Sequence, residues 1–219
     1  VTAIEAEDCA QCTPAAEILA TITSARANIT ASLSLKSADS KSQRLIAEYS
    51  IKRLPTVVVT GEIDKLKLSG SGFEKVQDAL VYSQTPPPYT DAATGAVKGL
   101  VSLTYVNASS CGECPDLMPA VQQLRSILTV KGVNVVDKDS PEGKALVEKY
   151  ALARLPGILV SSDVAEYPIA SQLAATGTVK KDGSIVLGAN PPYLNSSTGK
   201  VDGIANLIML NDSSCAACY

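Results

Sequence analysis

The chain repeats a Cys-x-x-Cys motif, and the copies use all of its cysteines: Cys9/Cys12, Cys111/Cys114 and Cys215/Cys218. The first cysteines of successive copies stand 102 and 104 residues apart, a distance typical of one small domain. A regular repeat of this length constrains the fold more than any local pattern does. It predicts tandem domains that each carry a dithiol, and we expect the chain to be part of something longer.

Composition narrows the classes of function. The formal net charge is −3, and no Lys/Arg cluster offers a surface for nucleic acid. The longest apolar runs, such as residues 55–59 and 204–210, are too short to span a bilayer. The absence of histidine excludes Ser-His and Cys-His catalytic pairs and mixed Cys/His zinc sites. We therefore expect a soluble protein with no nucleic-acid partner, no membrane span in this chain, no cofactor and no metal.

Asn-x-Ser/Thr triplets favour an extracytoplasmic or secreted location, where such sequences accept glycans. They begin at Asn28, Asn107, Asn195 and Asn211. Because the pattern is short and also arises by chance in a Ser/Thr-rich chain, a cytoplasmic location stays open as the alternative.

Hydrophobic periodicity predicts alternating strands and helices in both repeats. In the first repeat the predicted strands are residues 2–7, 29–35, 55–59 and 65–68, with helices after Cys12, over 40–49 and over 73–82. In the second they are residues 101–106, 133–136 and 155–160, with helices after Cys111 and from the Ser140 cap to about Tyr150. A hairpin is predicted over residues 178–186, turning at Asp182-Gly183.

Two proline-rich segments separate the repeats. Residues 86–89 read Pro-Pro-Pro-Tyr and residues 191–193 read Pro-Pro-Tyr, each followed by a Thr-Gly pair. Proline fixes φ and removes a hydrogen-bond donor, so these segments are predicted to be stiff, extended linkers. The predicted organisation is domain 1 over residues 1–85, a linker over 86–98, domain 2 over 99–190, a second linker over 191–203, and the first strand and Cys-x-x-Cys of a truncated third repeat over 204–219.

A second motif follows the first two cysteine pairs. Residues 49–59, Tyr-Ser-Ile-Lys-Arg-Leu-Pro-Thr-Val-Val-Val, match residues 150–160, Tyr-Ala-Leu-Ala-Arg-Leu-Pro-Gly-Ile-Leu-Val. Their prolines, Pro55 and Pro156, lie 43 and 42 residues beyond the second cysteine of each pair. In this combination the chain resembles the thioredoxin family. Pro119 is similar to the proline that kinks the active-site helix of that family.

The resemblance implies an α/β fold of tandem thioredoxin-like domains, each a central mixed sheet flanked by helices, in a disulfide-isomerase-like arrangement. It implies that Pro55 and Pro156 are cis and lie against the sulfurs. Substrate would then bind along Leu54, Pro55, Leu155 and Pro156. The implied disulfides are Cys9–Cys12, Cys111–Cys114 and Cys215–Cys218.

Each cysteine pair is predicted to lie where a strand ends and a helix begins. There the helix N-terminus would stabilise a thiolate on the first cysteine. Cys9, Cys111 and Cys215 are therefore the expected nucleophiles, and Cys12, Cys114 and Cys218 would resolve the mixed disulfide. The middle pair, with Pro119 and Pro156 around it, is the best-formed candidate, and the third pair has no downstream half.

Departures from the family lower the expected reactivity. Asp8, Ser110 and Ser214 stand where thioredoxins place Trp, and no histidine lies within the motif. Asp8 and Glu113 would oppose thiolate formation by like-charge repulsion, which predicts a reducing or sluggish couple.

These residues leave several functions open. Thiol–disulfide exchange on a disulfide-containing protein or peptide is the first hypothesis. The alternative is a non-catalytic extracellular scaffold or adhesion-type array of such modules, with further copies of itself as partners and structural disulfides. Capture of a soft metal by the thiolates is a third reading.

Overall fold

The computed structural model describes residues 1–24, 28–66, 68 and 71–208 and is a mixed α/β structure. Two five-stranded mixed sheets and two three-stranded sheets account for its strands. Cys215, Cys218 and most of the predicted third repeat lie outside the described residues.

The first half of the chain contributes eight strands and two helices to the described structure. The strands are β1 (Thr2–Glu5), β2 (Leu33–Lys36), β3 (Arg53–Leu54), β4 (Thr56–Thr60), β5 (Phe73–Val76), β6 (Ala79–Tyr82), β7 (Tyr89–Asp91) and β8 (Val97–Lys98). The helices are α1 (Ala15–Ser24) and α2 (Ser40–Glu48), and a 3-10 helix covers Ile63–Lys65.

The second half repeats this series and adds one helix. Its strands are β9 (Val101–Asn107), β10 (Val130–Asp137), β11 (Arg154–Leu155), β12 (Gly157–Val160), β13 (Thr178–Val179), β14 (Ile185–Gly188), β15 (Tyr193–Asn195) and β16 (Val201–Asp202). Its helices are α3 (Met118–Ile127), α4 (Pro141–Lys149) and α5 (Ala170–Thr176), and a 3-10 helix covers Ser162–Glu166.

The two large sheets share one strand order. It is β2-β1-β4-β6-β5 in the first half and β10-β9-β12-β14-β13 in the second. In both, the first pair of strands in chain order is parallel, and the central strand β4 or β12 runs antiparallel to its neighbours. We call the two halves, each with its large sheet, the first and second units.

Each large sheet carries apolar side chains on both faces, because a helix covers each face. In the second unit Leu103, Ile158 and Ile185 pack with residues of α3, and the neighbouring Val106, Leu159 and Val186 form a separate cluster on the other side. Alternation of side chains along a strand produces this division. The first unit has the same two clusters, one with α1 and one with the residues around Tyr49.

The predicted linkers are not free spacers. Residues 89–98 form the hairpin β7–β8, which joins β3 in a three-stranded sheet. Residues 193–202 form the hairpin β15–β16, which joins β11 in the same way. Each connector therefore folds back onto the short strand that precedes the motif proline of its own unit. We call residues 86–99 connector 1 and residues 191–203 connector 2; each contains one of these hairpins.

Three local predictions differ from the structure. Residues 73–82 are the hairpin β5–β6 rather than a helix; the apolar spacing fits either period, and the Phe73 and Tyr82 rings meet at 5.2 Å across the strands. Residues 65, 66 and 68 belong to no strand. Residues 204–208 are likewise outside any strand, and Leu207 is 90% exposed. The hairpin with its turn at Asp182-Gly183 is confirmed.

Candidate thiol–disulfide sites

The first two cysteine pairs are disulfides, as the sequence predicts. The sulfur atoms are 2.01 Å apart in Cys9–Cys12 and 1.99 Å apart in Cys111–Cys114. The Cα atoms stand 5.3 and 5.4 Å apart, within the usual range for a disulfide. Both bridges therefore occupy equivalent turns that follow the first strand of each unit.

The helix after each pair begins later than the sequence predicts. Helix α1 starts at Ala15, three residues after Cys12, and α3 starts at Met118, four residues after Cys114. The first cysteine is thus separated from the helix N-terminus by the whole turn, and the dipole effect falls off within one turn of the helix. The geometric basis for a helix-stabilised thiolate on Cys9 or Cys111 is missing in this disulfide form.

Pro119 also differs from its expected role. It lies in the first turn of α3, where a proline needs no hydrogen-bond partner for its missing N–H. It therefore helps to start the helix and does not kink it.

The burial of the two cysteines in each pair is the reverse of what their expected roles require. Cys9 and Cys111 are each only 8% exposed, whereas Cys12 and Cys114 are partly exposed. An incoming group therefore reaches the second cysteine of each pair first. The residues between the cysteines, such as Gly112 and Glu113, are exposed and leave that approach open.

Hydrogen bonds hold the turn ahead of Cys111. The Asp137 carboxylate accepts from the backbone N–H of Ser109 at 3.1 Å, and Cys111 N donates to Ala108 O at 2.9 Å. Bonds from Ser109, chiefly its hydroxyl, and from the N–H of Asp139 lower the pKa of Asp137 below its usual value. Asp137 stays ionised at neutral pH and ties the end of β10 to the cysteine turn.

A tyrosine fastens the segment after Cys114. The Tyr105 hydroxyl lies 3.3 Å from the Asp116 carboxylate and accepts from Leu117 N at 3.4 Å. Burial is the main cause that raises the pKa of Tyr105 above 10.0. The start of α3 is thereby joined to strand β9, directly beneath the cysteine turn.

The motif prolines are cis, as the resemblance implies. The peptide bonds Leu54–Pro55 and Leu155–Pro156 are both cis, and so are Pro87–Pro88 and Pro191–Pro192 in the connectors. All four residues of the predicted substrate-binding segments are buried.

The backbone beside these prolines already has a strand partner. Leu54 pairs with Thr90 of connector 1, and Leu155 pairs with Leu194 of connector 2. This is the edge along which an extended substrate was expected to bind. In the structure the chain's own connectors occupy it.

Among the described residues, only the second unit links its cysteine and proline segments through one hydrophobic cluster. Cys111 belongs to the cluster of Leu152, Leu155 and Leu159, against which Cys114 also packs. The corresponding cluster of the first unit contains Leu54 but, among the described residues, not Cys9. The second site is therefore the more firmly embedded of the two.

A polar cluster between the two units was not foreseen. The Tyr89 hydroxyl donates to Glu166 Oε2 at 2.7 Å, and the Arg53 guanidinium lies 4.1 Å from the Tyr89 ring centre and 3.5 Å from Glu166. The sequence contains a repeated pattern for two of the three residues, since Arg-Leu-Pro and Pro-Pro-Tyr recur in both repeats. Nothing in the sequence marked Glu166.

The predicted glycan acceptors are differently placed. Asn28 is exposed. The side chain of Asn107 accepts a hydrogen bond from Ala108 N, and that of Asn195 accepts from Ser197 N and donates to Asp202. Asn211 lies outside the described residues.

Over the described ranges, no group of three or more His, Cys, Asp or Glu side chains could hold a metal ion. No helix in that part of the chain is long and apolar enough to cross a membrane. Comparison of the chain with protein-family models, with curated proteins and with solved structures finds no match.

Proposed function

We propose that this chain is an extracytoplasmic thiol–disulfide exchange protein built from tandem thioredoxin-like units. The observation that carries the proposal is the repetition of one site: a Cys-x-x-Cys disulfide after the first strand of each unit, with its second cysteine partly exposed, and an Arg-Leu-Pro segment that leads into the central strand. A shared strand order in two units supports the same fold for both.

A purely stabilising role explains the short bridges poorly. In the chain-entropy model, closing a four-residue loop contributes only about 2 kcal/mol, against roughly 4.7 kcal/mol for a loop of 100 residues. Bridges that stabilise a fold normally join distant segments, whereas these join residues three apart. Exchange chemistry requires access to the bridge, and the second cysteine of each pair is partly exposed.

The proposed exchange step begins at the second cysteine. A substrate thiolate attacks Sγ of Cys114, the bond between Cys114 and Cys111 breaks, and the electron pair stays on the Cys111 sulfur, which takes a proton from water. A second thiol of the substrate then attacks the substrate sulfur of the mixed disulfide. This forms the substrate disulfide and releases Cys114 as a thiolate. The substrate is oxidised to a disulfide and the protein is reduced; the reverse sequence reduces a substrate. Cys12 and Cys9 act in the same way in the first unit.

The test uses the full chain with Cys9, Cys12, Cys215 and Cys218 replaced by serine. In this background Cys111→Ser and Cys114→Ser each leave one thiol of the second site. With an aromatic disulfide as probe, we expect Cys114 to react about tenfold faster than Cys111, because Cys114 is the less buried residue. Without added reductant, the reduced parent chain with both cysteines should release two aromatic thiols per chain and form its own disulfide, whereas the two single variants should release one and stop at the mixed disulfide.

Two results would count against the proposal separately. Faster reaction of Cys111 would overturn the order of attack but leave exchange intact. Absence of turnover in wild type, together with a bridge that a dithiothreitol series reduces only far below the glutathione range, would remove exchange itself.

The connectors favour a second candidate function. Because β7 and β15 pair with the strands that carry Leu54 and Leu155, a peptide substrate cannot add to that edge without displacing them. A scaffold of rigidly joined units with structural disulfides fits this arrangement. In that case neither bridge would turn over a substrate, and reduction of both would lower the free energy of unfolding of the chain.

A further inference from the structure

The contact between the two units depends on a small polar cluster at connector 1. Tyr89 is buried, donates to Glu166 at 2.7 Å and lies under the Arg53 guanidinium. Burial first, and then the hydrogen bond to Glu166, raise the pKa of Tyr89 to about 12. A carboxylate from the second unit therefore binds a cation and a phenol that the first unit and its connector present together.

The end of connector 1 is held by the same part of the second unit. Gly99 N donates to Asp163 Oδ1 at 3.3 Å, and the Tyr167 hydroxyl donates to Gly99 O at 2.7 Å. Gly99 has φ +78°, and a Cβ there would lie 2.4 Å from Cβ of Pro87, so only glycine fits. The 3-10 helix Ser162–Glu166 and the tyrosine after it thus contact the connector at two points.

Connector 2 and the arginine before it repeat the arginine, tyrosine and glycine of this contact. The Arg154 guanidinium lies 4.7 Å from the Tyr193 ring centre, and Gly203 has φ +83° with its notional Cβ 2.4 Å from Cβ of Pro191. Arg154, Tyr193 and Gly203 follow Arg53, Tyr89 and Gly99 by 101, 104 and 104 residues.

The two contacts differ in how deeply the arginine and the tyrosine are buried and in whether a carboxylate binds them. Arg154 is exposed and Tyr193 only partly buried, whereas Arg53 is partly buried and Tyr89 buried. Within the described residues, no carboxylate forms an ion pair with Arg154. The same geometry is therefore present at both connectors, and the carboxylate is present at one.

We propose that Arg154, Tyr193 and Gly203 form a docking surface for a further unit of this kind, continuing from Gly203, which places a carboxylate at the counterpart of Glu166. The occupant is the unit whose sequence starts in residues 204–218. Gly203 precedes Cys215 by 12 residues, as Gly99 precedes Cys111. An Arg–phenol pair selects a carboxylate because it offers charge and a donor at one place.

A second copy of this chain fits the surface less well. Its first unit has Lys65 ten residues after the cis proline, where the second unit has Glu166. Docking of that unit would bring Lys65 toward Arg154, a like-charge contact. The Glu166 of a second copy is already bound to its own Arg53 and Tyr89. This inference concerns assembly and does not depend on exchange chemistry.

The main experiment completes the third unit on the full chain. Residues 1–218 are followed by a second copy of residues 115–190, and the Arg154 Nε–H and Tyr193 ring resonances are compared with those of the 219-residue chain. We expect both to shift and the Arg154 Nε–H to become protected from exchange with water. Changing the copied counterpart of Glu166 to Gln should reverse most of the shift, and Arg154→Met should abolish docking. Arg53→Met serves as the calibration, since it removes the cation from the contact that already exists.

A folded third unit, shown by its own disulfide and dispersed spectrum, with Arg154 and Tyr193 unchanged would overturn the proposal. Should that unit fail to fold, the 219-residue chain is titrated instead with a peptide of residues 162–168, Ser-Asp-Val-Ala-Glu-Tyr-Pro. Shifts confined to connector 2, and weakened about fivefold when the peptide Glu is replaced by Gln, are expected. No shift at millimolar peptide, or equal binding of both peptides, would overturn it by this route.

Discussion

The two units share one strand order but differ in how closely the second helix of each unit, α2 or α4, approaches the large sheet. In the second unit Gly143 lets α4 approach the end of β10, since a Cβ there would lie 2.0 Å from Asp137 O. The first unit has Ser42 at the matching position in α2, buried, and its hydroxyl finds no hydrogen-bond partner in the described part of the structure. The repeat therefore preserves topology, while the packing beside each cysteine turn is particular to each unit.

The largest effect is expected from truncating the motif leucines. Leu155→Ala and Leu54→Ala should each lower the free energy of unfolding by about 3 kcal/mol, because both side chains are almost fully buried. Only Leu155→Ala should also speed reduction of its neighbouring disulfide, since Leu155 shares a cluster with Cys111. Urea unfolding and timed alkylation after dithiothreitol addition measure the two effects. Equal acceleration of both disulfides would erase the distinction between the units.

The next largest difference in stability between the units is expected at the position where α4 contacts the end of β10, compared with the matching position in α2. Gly143→Ala is expected to destabilise by about 2 kcal/mol, because the clash is with backbone atoms that cannot rotate away. Ser42→Ala removes a buried hydroxyl without a partner and should be neutral or stabilise by up to about 1 kcal/mol. Thermal and urea unfolding of both variants give the comparison. A stable Gly143→Ala variant would mean that α4 can move outward at little cost.

The N-cap of α4 is expected to contribute more to the free energy of unfolding than the N-cap of α2. Ser140 accepts from Gly143 N at 3.0 Å, so Ser140→Ala should cost about 1 kcal/mol. Asp39 caps α2 without a side-chain bond to the helix and instead accepts from Lys36 N. Asp39→Ala should therefore cost less than Ser140→Ala in the same unfolding assay. A larger loss for Asp39→Ala would show that the turn before α2 matters more than the cap.

The contact between the units is expected to respond to pH. The folded-state pKa of Tyr89 is about 12, above its ordinary value of 10.0, so the neutral phenol is favoured by folding. This stabilisation is complete below pH 10 and is lost as the pH rises from 10 to 12. NMR titration of the Tyr89 ring follows it.

Two variants are expected to shift the pKa of Tyr89 in opposite directions. Glu166→Gln removes a cause that raises this pKa and should lower it toward 10, whereas Arg53→Met removes a cause that lowers it and should raise it further. Because Arg53 and Glu166 are partly exposed, loss of their ion pair should cost under about 1 kcal/mol. Shifts of the same sign in both variants would contradict the assigned contacts.

Local chemistry accounts for the predictions that hold. A spacing of two residues between the cysteines is compatible with a disulfide, Ser140-Pro141 starts a helix, and Asp182-Gly183 makes a turn, each from interactions within a few residues. The prediction for residues 73–82 was wrong because their apolar spacing satisfies both helix and strand. The tertiary pairing of β6 with β4 selects the strand.

The sequence by itself determined the repeat of the cysteine pairs and the central strands, because spacing and β-branched composition are properties of short segments; the disulfides were implied by the resemblance to the thioredoxin family. Only the tertiary structure decided which cysteine of each pair is less buried and what pairs with the strand before each motif proline. Those outcomes depend on segments distant in the chain: Leu194 lies beside Leu155, and Glu166 reaches back to Tyr89. Burial and strand pairing belong to the assembled fold, so the order of attack at the cysteines and the surface around Arg154 become visible only there.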